Sequence, residues 1–300
     1  MLLFSLLLPS SALLPTRRAL TLAAPAALFS SALPGLPTTA ALAADPYTEL
    51  RARLDGPIVT QSGDMAPVQG RVAPTLPGWL AGRWKCTQTL TAYSTPQGVQ
   101  FIGAAGRPIS EAEASAAQTR AQIGKPVTLE LRWNAAGDGA AIEDRAFNAR
   151  SRLDAFAGRP VVRSSQTCDA AGVNAPGLSC TFIEFTGPIL QKQISNSLRV
   201  ATLPGAAAAA GEAGSSYVSS EATRQIFARR KVAGDTRDFP PITTDSEVLI
   251  SLAPALDGAG ASGKLRLVEY LNANDPLYFA AARKSVSISD YSITLVRLQE

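Results

Sequence analysis

The sequence predicts an all-β fold, a single antiparallel barrel of about 8–10 strands with one short helix. Three observations lead there. Val127-Thr128-Leu129-Glu130-Leu131-Arg132-Trp133 alternates apolar and polar residues without a fault, the signature of a half-buried strand. Runs of the same character recur to the C-terminus with turn-type clusters between them, which favours a barrel or sandwich over an α/β sheet. The best helical stretch is short: Ser110-Glu111-Ala112-Glu113 has the form of a capping box in front of an Ala-rich run to Ile123.

Taken in order, residues 1–44 read as a cleaved targeting leader. No acidic residue precedes Asp45, and the only charges are Arg17 and Arg18. An apolar stretch from Ala19 to Leu33 follows, then Ala41-Leu42-Ala43-Ala44, which offers small residues for cleavage. That order describes a twin-arginine export signal. The alternative is a membrane anchor, but Pro25 and Pro34 break the stretch below the ~20 residues a spanning helix needs. Met1 to Pro15 is apolar with three serines and no basic residue, in the manner of a short organellar transit stub. A bipartite leader of this kind resembles that of chloroplast thylakoid-lumen proteins, and a bacterial periplasm is the alternative. The mature chain is expected to carry no transmembrane segment.

Removing Arg17 and Arg18 leaves 26 basic residues against 24 acidic ones, a net of +2. Nucleic acid, which needs a concentrated basic face, is therefore not an expected partner. With 46% apolar residues the chain is not a disordered one. Residues 45–76 form a Pro/Gly-rich N-terminal extension, and residues 77–300 form the barrel domain, with a low-complexity loop at 204–216.

The first strand opens at Gly82-Arg83-Trp84. Trp84, Cys86, Leu90 and Ala92 share one parity, broken only by Gln88, while Lys85, Thr87, Thr89 and Thr91 share the other. Gly82 lies where a strand can turn and another backbone can pass close. After Val127–Trp133, strand signals span 160–168, 179–185, 189–202, 216–228, 247–252, 264–271 and 286–298, about nine strands in all. Cys168 and Cys180 flank a turn-rich segment between two such runs. In an exported protein they are expected to pair, the alternative being two free thiols. Cys86 reads as a buried core thiol. Gly258 to Lys264 has P-loop spacing, but Leu265 stands where Ser or Thr must hold magnesium, and the segment joins two strands; it reads as a hairpin loop. Arg224, Arg229, Arg230 and Lys231 read as a solvated strand edge, with partner docking as the alternative.

The Gly82-x-Trp84 pattern resembles the first strand of lipocalin-like (calycin) barrels. The resemblance implies that Trp84 plugs the closed end of the barrel and that an arginine of a late strand covers its ring. Arg297, on one parity with Ile293 and Leu295, is the candidate. A second resemblance rests on ordered blocks: Trp79 to Trp84, Glu143 to Asn148, Ser220 to Phe227, Tyr270-Leu271 with Asp275 to Phe279, and Tyr291 to Leu298. Together they resemble a family of cyanobacterial and chloroplast proteins carrying a domain of unknown function. This implies a photosynthetic source and a lumenal address, and no activity.

The chain contains no histidine, which removes Ser-His-Asp and Cys-His catalysis and histidine metal sites together. No cofactor is implied, and an enzyme ranks third among the readings. Glu143 with Asp144, or Glu184 with Glu221 or Glu269, are the carboxylate pairs available for acid and base chemistry. The Glu143–Asn148 block reads either as a capped helical turn or as a polar ligand contact at a barrel mouth. The first functional expectation is a barrel holding a small hydrophobic ligand, lipid or pigment, with Trp84, Trp133, Arg145, Asn148, Phe182 and Tyr270 as candidate contacts. The second is an accessory or assembly factor for a thylakoid membrane complex, acting through its surface.

Overall fold

The computed structural model describes residues 46–61, 75–103, 107–137, 139–174, 177–187, 189–204, 216–230 and 240–299. The expected leader, Lys231 and most of the low-complexity loop lie outside the described residues. Eleven strands build one antiparallel sheet: β1 (Thr75–Pro77), β2 (Gly82–Ser94), β3 (Pro126–Ala135), β4 (Ala140–Glu143), β5 (Val162–Thr167), β6 (Ser179–Phe185), β7 (Leu190–Pro204), β8 (Tyr217–Arg229), β9 (Ile242–Pro254), β10 (Gly260–Tyr270) and β11 (Ser287–Arg297). Their order across the sheet is β1-β4-β3-β2-β11-β10-β9-β8-β7-β6-β5. The nine expected strands are all present. β1 and β4, of three and four residues, are too short to carry a period.

The expected closed barrel of 8–10 strands is corrected to a half-barrel of eleven. The expectation of one helix is corrected to four α-helices among the described residues: α1 (Pro46–Asp55), α2 (Ile109–Arg120), α3 (Arg145–Ala157) and the single turn α4 (Tyr278–Ala281). Asp144 caps α3 by accepting from the Phe147 N–H at 3.0 Å, and Gly158 ends it at φ 65°. The capping box at Ser110 does not form, because α2 already begins at Ile109 behind Pro108.

Among the described residues, α3 rather than a strand lies against the β3 edge beyond β4. Its Asn148 amide accepts from the Arg132 N–H at 2.7 Å and donates to the Arg132 carbonyl at 3.1 Å, and Ser151 Oγ accepts from the Glu130 N–H. These side chains satisfy the part of the β3 edge that β4 leaves uncovered. On its other side, Asp154 Oδ1 accepts from the Val161 and Val162 N–H groups, and Ser165 Oγ of β5 donates to the Ala146 carbonyl. The helix thus spans the gap between β3 and β5.

Side-chain parity gives the sheet two faces. One carries Trp84, Leu131, Leu252 and Leu295, then Ile183 and Phe227, packed against Ala155, Ala149 and Leu153 of α3. Since α3 joins strands from opposite ends of the order, this is the concave face. Val218, Leu249, Val268 and Ile288 project from the other, under Leu50 and Leu54 of α1. The N-terminal extension therefore contributes a helix to the core of the barrel domain. Along β2 the inner parity ends at a bulge: Ala92 pairs with Asp290 and Leu90 with Tyr291, so Thr91 is the extra residue and Ala92 becomes exposed.

Cys168 and Cys180 are joined, with their Cα atoms 5.4 Å apart, against Phe182 and Ile194 on the convex face. Closing a loop of this size is worth about 3 kcal/mol in the chain-entropy model. Cys168→Ser is expected to lose that amount in oxidant, measured by urea unfolding, and reductant is expected to bring wild type to the same value. Equal stability of variant and wild type in oxidant would refute it.

Candidate functional site

The registers of β5 to β11 lay polar side chains across the concave face in two rows. Thr223 and Gln225 share the parity of Tyr217 and Phe227, which point into the concave core. From Thr223 the pairing runs through Ser197 to Ser179 on one side, and through Ser246 and Glu269 to Ser287 on the other. From Gln225 the second row runs through Ser195 and Thr181 to Thr167, and to Thr244 of β9. Neighbours lie about 4.8 Å apart across strands and the rows about 6.8 Å apart along them. Within this belt only Glu269 carries charge, and Ser287 donates to it.

The belt is under-bonded by protein. The hydroxyls of Ser179, Ser197, Thr202 and Thr244 and the carbonyl oxygen of Gln193 are buried without a hydrogen-bond partner. All five project from the concave face of β6, β7 and β9. An unmatched buried polar atom costs about 1–3 kcal/mol, and such atoms are rare when scattered. Here Ser179 and Ser197, on the neighbouring strands β6 and β7, and Thr244, on β9 across β8, fall within the two rows, while Gln193 and Thr202 lie on β7 outside them. Thr223, Gln225, Thr244 and Ser195 remain half-buried, so the belt is not sealed.

An ionic network borders the belt at α3. Arg145 Nη1 and Nη2 hold the Glu221 carboxylate at 2.5 and 3.1 Å, while Arg152 Nη1 and the Asn148 amide reach Glu143 at 3.2 and 3.0 Å. Burial works to raise the Glu143 carboxyl, but the guanidinium groups of Arg152 and Arg145 and the Asn148 amide outweigh it and hold it below the usual carboxylate range. A depressed carboxylate contributes stability that is complete above its unfolded value and lost as pH falls through its folded one. Glu143→Gln is therefore expected to be less stable than wild type at pH 7, with the gap narrowing below about pH 4. Urea titrations from pH 7 to pH 3 test this, and a gap independent of pH would contradict it. Burial also pushes the Cys86 thiol up to about 11, with Arg152 opposing, so it is protonated and unreactive at neutral pH.

Of the expected contacts, Trp84 and Trp133 lie in the concave core, 0% and 6% exposed. Trp84 Nε1 donates to the Leu80 carbonyl at 2.7 Å, and the Arg297 guanidinium stands 4.3 Å from the Trp84 ring. Arg297 also donates to the Ala81 and Trp79 carbonyls at 2.7 Å each. Gly82, at φ 118°, leaves the space: a Cβ there would stand 2.9 Å from Arg297 Nη1. Arg145 and Asn148 border the belt.

Phe182 and Tyr270 have even parity and lie on the convex face, away from Trp84, Trp133, Arg145 and Asn148. Phe182 packs beside the disulfide, and the Tyr270 hydroxyl donates to Glu247 at 2.8 Å, next to α1. The basic cluster is also dispersed. Arg224 pairs with buried Asp245, Arg230 donates to the Phe185 carbonyl, and β8 is flanked by β7 and β9 rather than lying at an edge. Among the carboxylates, Asp144 is a helix cap bound by Arg132, and Glu184 faces Ser164 on the convex side. Gly260 to Lys264 belongs to β10, so no helix follows the Gly258 turn. Among the described residues no group of three or more Cys, Asp or Glu side chains is placed to hold a metal ion.

On the convex face a cleft of about 440 Å³ opens between Gly56–Ile58, Ser94–Pro96 and the Arg266, Ile288 and Asp290 side chains. Arg266 is already committed there, to Asp290 and to the Arg53 and Gly56 carbonyls at the C-terminal end of α1. Among the described residues no helix is long and apolar enough to cross a membrane.

Residues 70–173 match a family described as a domain of unknown function (DUF6816). The matched span runs from β1 through β5, and so takes in Trp84, Arg145 and Asn148 but not the central strands of the belt. No curated protein and no solved structure matches the chain.

Proposed function

We propose that this protein is a non-catalytic binding protein that holds a small ligand on the polar belt of its concave face. The observation that carries the reading is the set of buried, unbonded hydroxyls of Ser179, Ser197 and Thr244 within the two rows. Trp84, Trp133 and α3 fill the apolar part of the concavity, so the ligand's principal contacts are polar rather than the lining of an apolar chamber. The twin-arginine leader supports work in a thylakoid lumen, or in a periplasm if the source is bacterial. A second reading, docking to a membrane complex, is favoured by Phe279 of α4, 87% exposed beside Leu277.

Native mass spectrometry on mature protein from its own membrane fraction tests the first reading. A stoichiometric small molecule is expected, with its occupancy reduced in Thr223→Val. An empty chain would refute ligand binding and leave the surface reading. A passenger unaffected by Thr223→Val would place the site elsewhere.

A further inference from the structure

The charges around the belt restrict what it can hold, and we infer that its ligand is a neutral, polyhydroxylated molecule: a carbohydrate or the sugar headgroup of a larger one. The inference rests on the binding role proposed for the belt. Arg145, the cation at its border, is held by Glu221 through Nη1 and Nη2, and its unbonded Nε stands 3.9 Å from Glu143, so its charge is offset by two carboxylates that would repel an anion. Glu269 is the one acid in the two rows and accepts from the neutral Ser287 hydroxyl, so a cation would find a single carboxylate there and no second acid in either row. An apolar molecule would leave the hydroxyls of Ser179, Ser197 and Thr244 as unmatched as before.

What remains is a ligand whose own groups both donate and accept. Ser and Thr hydroxyls rotate to do either, and Gln193 Oε1 accepts only. Sugar hydroxyls answer both needs across a surface several strands wide. The Thr223 and Ser246 hydroxyls, 2.8 Å apart, already bond to each other in the manner a sugar hydroxyl would extend.

A glycan array carrying neutral, sulfated and sialylated members, probed with the labelled mature chain, tests the class. Retention on neutral glycans is expected, about tenfold weaker for Thr244→Val and for the smaller change Ser197→Ala. Far-UV circular dichroism checks that both variants fold, and Ser197→Ala serves if Thr244→Val does not. Retention confined to charged glycans, or neutral retention that survives both changes, would overturn the inference. A stoichiometric apolar or ionic passenger in native mass spectrometry that is lost on Ser197→Ala would sink the class while the belt remained a binding site. An empty chain and a silent array would remove both.

Discussion

Trp84→Ala is expected to lower stability by about 3–5 kcal/mol, the cost of emptying a buried tryptophan site. For a chain of this size that corresponds to a fall in Tm of roughly 6–20 °C. Trp84 is fully buried, its indole N–H is bonded to Leu80, and Trp79 meets it edge-on with ring centroids 6.4 Å apart. Arg297 closes over its face, so removing the ring also strips a guanidinium of its aromatic support. Trp84→Phe keeps most of the volume and is expected to cost about half as much. Arg297→Leu keeps the cover but loses the bonds to Ala81 and Trp79, and about 1–2 kcal/mol is expected there. Thermal and urea unfolding of the three variants measure the series. A loss below about 1 kcal/mol for Trp84→Ala would show that the concave core does not depend on this plug.

How much of this was legible in the sequence depends on how long each signal ran. Val127–Trp133 alternates cleanly because β3 buries one face only, and β2 reads equally well until the bulge at Thr91 reverses its parity. Arg297 lies more than two hundred residues from Gly82 and Trp84, so spacing alone does not bring the three together. α3 was harder to foresee. Its Asp144 cap is visible, but Asn148, Ser151 and Asp154 are polar because they bond strand backbone rather than solvent, and Arg145 because it pairs with Glu221. A polar-rich helix lying inside a sheet breaks the amphipathic rule by which helices are found.

The belt was illegible for a related reason. β8 carries Ser219, Glu221, Thr223 and Gln225 on the concave parity and Ser220, Ala222 and Arg224 on the convex one, so neither face stands out as apolar. Only the register of six strands shows that Ser179, Ser197, Thr223, Ser246, Glu269 and Ser287 form a row. Phe182 and Tyr270 lie on the opposite face from Trp84 and Trp133, which the sequence does not show because an aromatic in a strand signals burial without saying which face is buried. Both faces of this sheet are covered in part, one by α3 and the other by α1.

The cover on the convex face gives the second large effect. Arg53→Ala is expected to cost about 3–5 kcal/mol, because it leaves the Glu247 carboxylate as an uncompensated charge. Glu247 is 1% exposed, and Arg53 reaches it from the last turn of α1, at a sheet face that also carries Val218, Leu249 and Val268. Ser220 Oγ and the Tyr270 hydroxyl also donate to Glu247, at 2.5 and 2.8 Å, which keeps the loss nearer the lower figure. Burial next to this carboxylate raises the Tyr270 hydroxyl above its ordinary range, so it stays a donor at every working pH. The pair itself is not what stabilises. Arg53→Met combined with Glu247→Gln removes both charges and keeps the volume, and is expected to recover at least half of the loss. Urea unfolding compares the variants, and hydrogen exchange at residues 46–61 locates the effect. Faster exchange confined to α1 and the Val59–Gln61 segment in Arg53→Ala would show the helix lifting from the sheet. If the double variant were as unstable as Arg53→Ala, the cost would lie in lost packing of the arginine stem rather than in a stranded charge.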